Sequence, residues 1–226
     1  GDGVENFEDE DYLVYYPNSK WGTLLFEDMW PKKGDYDFND FAAFYKIQLY
    51  VDKVTKMVTD IMVSVRLNAL GGYLPYQLCL QIDNLNVSDV SDVYAPPYAN
   101  DGEYKFETEN SAESKVLFSF DWKNRKGSAG GEFYNTEKEH EVTIGGEDNK
   151  ITFVVSLEKE LGQTAFSNTN FNFFIRSTDG TEIHLMGYEP TENFKAKYNE
   201  IFDSNAATLS TVPYRSSTNL VWGLKV

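Results

Sequence analysis

The sequence predicts an all-β protein: an antiparallel β-sandwich, jelly-roll or immunoglobulin-like, with one short helix near the C-terminus. Three observations lead there. Apolar residues recur with period two through several long segments. Clusters rich in Gly, Asn and Asp separate those segments. Helical spacing occurs in a single stretch. With 226 residues, 41% hydrophobic and 15% aromatic, the chain can bury one substantial core.

Residues 1–20, "GDGVENFEDEDYLVYYPNSK", are acidic and turn-rich and read as an N-terminal linker, with "YLVYY" able to pair with a later strand. Residues 21–226 read as one domain. In "FAAFYKIQLYVD" (41–52), Phe41, Ala43, Tyr45, Ile47, Leu49 and Val51 fall on one face, so the strand buries that face. "DKVTK" is a short turn. It leads into "VTDIMVSVRL" (58–67), where Thr59, Ile61, Val63, Val65 and Leu67 alternate with polar residues and Met62. The two runs make a hairpin by length and pattern. Further strands are expected at 76–82, 115–122, 140–144, 150–157, 172–177 and 181–188. "STDG" (177–180) closes a hairpin between the last two. "TENFKAKYNEIF" (191–202) is the helix, with Thr191 as N-cap and Phe194, Tyr198 and Ile201 on its inner face.

The formal charge of −16 argues against a nucleic-acid partner and against binding to anionic membrane surfaces, both of which need clustered Lys and Arg. No segment is long and apolar enough to span a membrane. The single cysteine, Cys79, sits in the apolar run "YLPYQLCLQI" and reads as a small buried hydrophobe without a disulfide. The chain begins with Gly1 in place of an initiator Met, so an export signal is expected to have been removed.

The segment "FEDMWPKKGDYDFNDF" (26–41) gathers Glu27, Asp28, Asp35, Asp37, Asn39 and Asp40. Carboxylates brought this close repel one another unless a cation sits among them. Oxygens at alternate positions of a curled backbone converge on a point. Ca²⁺ takes six to eight oxygens at about 2.3–2.6 Å, whereas Mg²⁺ prefers few protein ligands and retained water. The loop is not an EF-hand, because Asp40 stands at the sixth position and Lys46 at the twelfth. Without a cation the same residues would form a solvated turn whose Asp and Asn side chains cap backbone amides.

"GTLLFEDMWPKKGDYDFNDFAAFYKI" (22–47), "TEIHLMGYEPT" (181–191) and "YRSSTNLVWGL" (214–224) together resemble, in order, the motifs of the LruC-type domain of bacterial surface lipoproteins, a largely uncharacterised family common in Bacteroidetes. The resemblance implies a β-rich, exported protein at the outer-membrane surface or outside the cell, with a lipid anchor in its precursor. It implies no known activity. It carries over the six acidic-loop residues as calcium ligands and marks Glu182 and His184 as motif residues of unknown role. Ala42, Ala43 and Val221 depart from the family pattern, and none of them is expected to touch the loop. Family members usually continue beyond "WGLKV", so a further C-terminal segment is expected.

Catalysis is not expected. Nothing isolates the acid pair that a glycoside hydrolase needs. His140 and His184 lack the N and S partners of a zinc site. No phosphate-cradling glycine loop or nucleophile elbow occurs. The expected function is a non-enzymatic, calcium-binding surface domain serving adhesion, scaffolding or matrix interaction, with a surface glycan or protein partner. A carbohydrate-binding module is the alternative, using Tyr12, Tyr15, Tyr16, Tyr94 and Tyr98, with "VYAPPYANDGEY" (93–104) as the most exposed loop.

Overall fold

The structure, a computed structural model, describes residues 11–18, 21–72, 74–96, 103–107, 114–122, 133–134, 136 and 150–226. Its strands are β1 (Asp11–Tyr16), β2 (Gly22–Phe26), β3 (Phe41–Asp52), β4 (Met57–Leu70), β5 (Tyr76–Asn86), β6 (Val90–Tyr94), β7 (Glu103–Glu107), β8 (Lys115–Asp121), β9 (Lys150–Gly162), β10 (Phe171–Ser177), β11 (Glu182–His184) and β12 (Gly223–Lys225). The helix is α1 (Glu192–Ser204). One sheet runs β12-β2-β3-β4-β9-β6, and the other β11-β10-β5-β8-β7. All pairings are antiparallel. The expected all-β sandwich with one short helix is therefore the observed fold.

β3 organises the first sheet. Its first half pairs with β2 (Phe26↔Phe41), and its second half pairs with β1 (Tyr12↔Val51), so two short strands share one edge. β1 is the "YLVYY" segment at the end of the expected linker. The inward face of β3 is the one its period predicts, with Phe41, Ala43, Tyr45, Ile47, Leu49 and Val51 all buried. β4 differs from expectation at one position. A bulge between Val58 and Asp60 leaves Thr59 exposed and puts Val58 inside in its place.

Phe residues from both sheets fill the core. The Phe118 and Phe153 centroids lie 4.3 Å apart, and Tyr104 stacks on Phe153 at 4.5 Å. Tyr104 was expected in the exposed 93–104 loop, but it belongs to β7. Tyr94 belongs to β6, and its side chain is exposed, as expected. Tyr98, His140 and the expected 140–144 strand lie outside the described residues. Tyr12 and Tyr16, by contrast, are half-buried, their hydroxyls donating to Gln163 Oε1 and the Phe166 carbonyl. Cys79 is fully buried, and desolvation raises its thiol pKa.

Two elements end differently from their pattern. β11 stops at His184, because Gly187 turns the chain at φ 84° and the Tyr188 amide closes back on the Leu185 carbonyl. Thr191 occupies the N-cap position, yet its hydroxyl donates to Glu182 Oε1 and makes no cap bond. α1 lays Phe194 and Tyr198 against Trp30, with the Tyr198 ring stacked at 5.5 Å. That contact holds the chain just beyond Asp28. Ile201 is only partly buried. Among the described residues, no helix is long and apolar enough to cross a membrane.

Candidate functional site

The acidic segment leaves the sheet at Phe26 and returns to it at Phe41, directly across the β2–β3 ladder. Between these points the backbone alternates. Gly34, Tyr36 and Phe38 adopt left-handed φ of 65°, 68° and 59°. For the two aromatic residues this conformation costs about 1 kcal/mol or more each. It aims both of their amides at one buried carboxylate: Tyr36 N–H donates to Glu27 Oε2 at 3.0 Å, and Phe38 N–H donates to Glu27 Oε1. Glu27 is thus the post around which the loop winds.

Glu27, Asp35 and Asp40 each bring one carboxylate oxygen within 4.8 Å of the others. Glu27 is buried, Asp40 half-buried and Asp35 exposed, so the group opens to solvent on one side. Of the other three expected ligands, Asp28 adjoins Asp40 of the triad, and Asp37 and Asn39 turn to each other. Asp28 is buried, accepting the Leu74 amide at 3.4 Å. Asp37 and Asn39 bond each other, since Asp37 Oδ1 accepts the Asn39 amide at 3.1 Å and Oδ2 accepts its side-chain N–H. The Asp28 amide donates to Asp40 Oδ2 at 2.8 Å and fixes that carboxylate.

Desolvation, with Asp28, Glu27 and Asp35 nearby, pushes the Asp40 carboxyl up to about 7. Burial also raises Glu27 and Asp28, in each case against backbone amides that favour the ionised form. Crowded carboxylates of which Glu27 and Asp40 bind protons more tightly than usual are what a hard cation site presents when it holds protons instead of a metal.

Two features of the site were not foreseen. The Gly71–Gly72 pair after β4 donates both amides to the Asp40 carbonyl, at 3.0 and 3.1 Å. A Cβ on Gly71 would lie 2.4 Å from Asn39 Oδ1 and 2.8 Å from the Asn39 carbonyl oxygen. Adjacent glycines ending a long strand signal such a close approach. Gly71→Ala should cost about 1–3 kcal/mol in urea unfolding, because backbone as well as side chain must shift. The second feature is the C-terminal segment. The Val221 amide donates to the Tyr36 hydroxyl at 2.8 Å, Trp222 Nε1 donates to the Lys32 carbonyl at 2.6 Å, and the Glu27 amide donates to the Trp222 carbonyl at 2.9 Å. The "NLVWG" stretch therefore clamps the acidic loop from outside, and Val221, expected to leave the loop untouched, contacts it through its backbone amide.

Glu182 and His184 form a separate, closed cluster. Both are buried, with His184 fully enclosed. His184 Nε2 meets Glu182 Oε2 and Nδ1 meets Asn172 Oδ1, each at 2.9 Å. Thr191 gives its amide and hydroxyl to the same carboxylate. Phe174 and Tyr214 flank the imidazole at 4.1 and 5.1 Å. Burial lowers the imidazole pKa, and the Glu182 carboxylate opposes that shift. The cluster ties β10, β11 and the start of α1 together.

A family model described as "Domain of unknown function (DUF4842)" matches residues 56–226. The acidic loop precedes that range, whereas the motifs at 181–191 and 214–224 fall within it. The description is coarser than the LruC-type resemblance. A search of curated proteins found no match. Among solved structures, the chain is similar to a "putative lipoprotein from Bacteroides ovatus" at 18% identity and a TM-score of 0.67, with 95% of this chain covered. The chain spans 65% of the length of that structure, and at this identity the likeness is one of fold. With most of its length inside the match, the protein belongs to the family described as Domain of unknown function (DUF4842).

Proposed function

We propose that this chain is a non-enzymatic, calcium-binding β-sandwich domain of an exported, surface-held protein, serving adhesion, scaffolding or matrix interaction. The observation that carries the proposal is the convergence of Glu27, Asp35 and Asp40 oxygens within 4.8 Å. Glu27, Asp35 and Asp40 would hold the ion, with water completing the shell. An all-oxygen donor set suits Ca²⁺, and a site open on one side suits the weak affinities of extracellular modules, about 10⁻⁴–10⁻³ M. Surface location and a lipid anchor draw support from the motif resemblance and from the name of the Bacteroides ovatus protein of similar fold. The burial of Glu182 and His184 supports a structural role for that pair.

Terbium luminescence tests the cation reading. Tb³⁺ bound at the triad, beside Tyr36, should be displaced by millimolar Ca²⁺ and far less by Mg²⁺. Asp40→Asn should abolish the signal. Luminescence that Ca²⁺ cannot displace would overturn the proposal.

A further inference from the structure

The first sheet turns its second face away from the core. On β3 that face carries Phe44, Lys46 and Gln48, which alternate with the buried Tyr45, Ile47 and Leu49. The register places Arg66 opposite Phe44, Ser64 opposite Lys46, and Tyr15 opposite Gln48. Directly paired residues share a sheet face, so all of these point outward. Two contacts agree with the register. The Arg66 guanidinium lies 5.0 Å from the Phe44 ring centroid and 5.2 Å from that of Trp21, just before β2. Lys46 Nζ lies 4.9 Å from the Tyr15 ring centroid. Beside Lys46, the small buried residues Ser64 and Thr152 hold their hydroxyls 3.0 Å apart.

This patch is opposite in charge to the chain around it. Acidic residues outnumber basic ones 36 to 20. Yet the outward positions of β3 from Phe44 to Gln48, and those in register with them on β1, β2, β4 and β9, hold no Asp or Glu. The next outward residue of β4, Asp60, accepts the Ser156 hydroxyl at 2.6 Å. Among the described residues, no carboxylate pairs with Arg66 or Lys46, and both rest on aromatic rings. Contact through the ring face leaves the edge donors of the guanidinium and the ammonium hydrogens for a ligand. Tyr15, Trp21, Phe44, Lys46 and Arg66 each keep part of their surface in water.

We infer that this face binds an acidic glycan, one whose sugar units carry carboxylates. A uronate ring matches both halves of the patch, with a carboxylate for Arg66 or Lys46 and a C–H face for the aromatic rings. Lys46 and Arg66 occupy diagonal positions on adjacent strands, about 7–8 Å apart, so one glycan chain can reach both. An acidic peptide fits less well. An extended peptide docks on a sheet by pairing with an edge strand, and a sheet face offers no backbone groups for that. Of the tyrosines expected to meet sugars, Tyr15 lies in this patch, whereas Tyr12 and Tyr16 pack against the core. The site is distinct from the acidic loop and requires no cation.

The test is calorimetric titration of the full chain with oligomers of galacturonate, glucuronate and mannuronate. Oligomers of galactose, glucose and mannose are the neutral counterparts, and polyglutamate is the acidic peptide. Titrations run in EDTA, so that no calcium bridges two carboxylates. At least one uronate oligomer should bind, and added salt should weaken it. Arg66→Gln and Lys46→Gln should each reduce the affinity by about tenfold or more. Lys46→Gln should do so at the wild-type melting temperature, which keeps the test valid if Arg66→Gln fails to fold. Lys195→Gln, the same change of charge at an exposed position of α1, should bind as wild type does. No binding by any uronate oligomer, equal binding of the neutral counterparts, or tighter binding of polyglutamate would overturn the inference. So would undiminished binding in Lys46→Gln, or an equal loss in Lys195→Gln. The cation reading stands or falls separately, on terbium displacement.

Discussion

Glu182→Gln is expected to destabilise the domain by about 1–3 kcal/mol, the usual cost of leaving buried hydrogen-bonding groups unsatisfied. The carboxylate accepts from His184 Nε2, the Thr191 amide and the Thr191 hydroxyl, and it is sealed from water. A glutamine is nearly isosteric but turns an NH₂ group toward some of these donors, leaving buried N–H groups facing each other. Urea unfolding followed by tryptophan fluorescence reads the loss. Removing both partners, in Glu182→Leu with His184→Phe, should cost less than the two single changes added together, because neither polar group is then left unpaired. Additive losses would mean that the pair contributes only packing.

The second large effect is a pH dependence of the metal-free protein. Asp40 holds its proton up to about pH 7 in the folded chain but only to an ordinary carboxylate value when unfolded. Between those values the folded state binds more protons, so its stability is fully present below the unfolded pKa and falls as pH rises to about 7. At about 1.36 kcal/mol per unit the loss approaches 4 kcal/mol, and the solvent-open side of the triad brings it nearer 2–3. Glu27 and Asp28 shift in the same direction. Asp40→Asn in EDTA should therefore be more stable than wild type at pH 8, with a flatter profile between pH 4 and 7. Lys225 acts in the opposite sense and in another window. Burial pushes its pKa down to about 7, so its contribution rises only from there toward the unfolded lysine value. Calcium should flatten the acidic limb, since a bound cation keeps the carboxylates ionised. A metal-free profile that is level from pH 4 to 7 would show that Asp40 is not perturbed.

Much of the fold was legible because the period of two is strict where a strand is buried on one face. β3 carries six alternating core residues, and all six are inside. Where the pattern misled, a local event intervened. The Thr59 bulge moves one residue outward, and the Gly187 turn ends β11 early. β6 and β7 hid in a loop-like sequence because they sit at sheet edges, where half-exposed residues break the alternation. The acidic loop was legible as a cluster. Its internal division was not. Spacing alone gives Asp35, Asp37 and Asn39 equal standing, but the left-handed residues Tyr36 and Phe38 send the backbone amides to Glu27, and Asp37 turns to Asn39. The clamp by Val221 and Trp222 joins residues far apart in sequence, which no local pattern reveals.

The most direct test is thermal unfolding at pH 7.5 in about 5 mM CaCl₂ against EDTA, on wild type and Asp35→Asn. Asp35 is exposed and joins the triad from outside, so its replacement should leave the fold intact. For a site of about 10⁻⁴–10⁻³ M, calcium should stabilise the wild type by about 1–2 kcal/mol, or roughly 3–8 °C. The variant should lose most of that gain while melting in EDTA at or above the wild-type temperature. Equal melting of the wild type in calcium and EDTA would contradict the account and leave the loop as a turn held by its own hydrogen bonds.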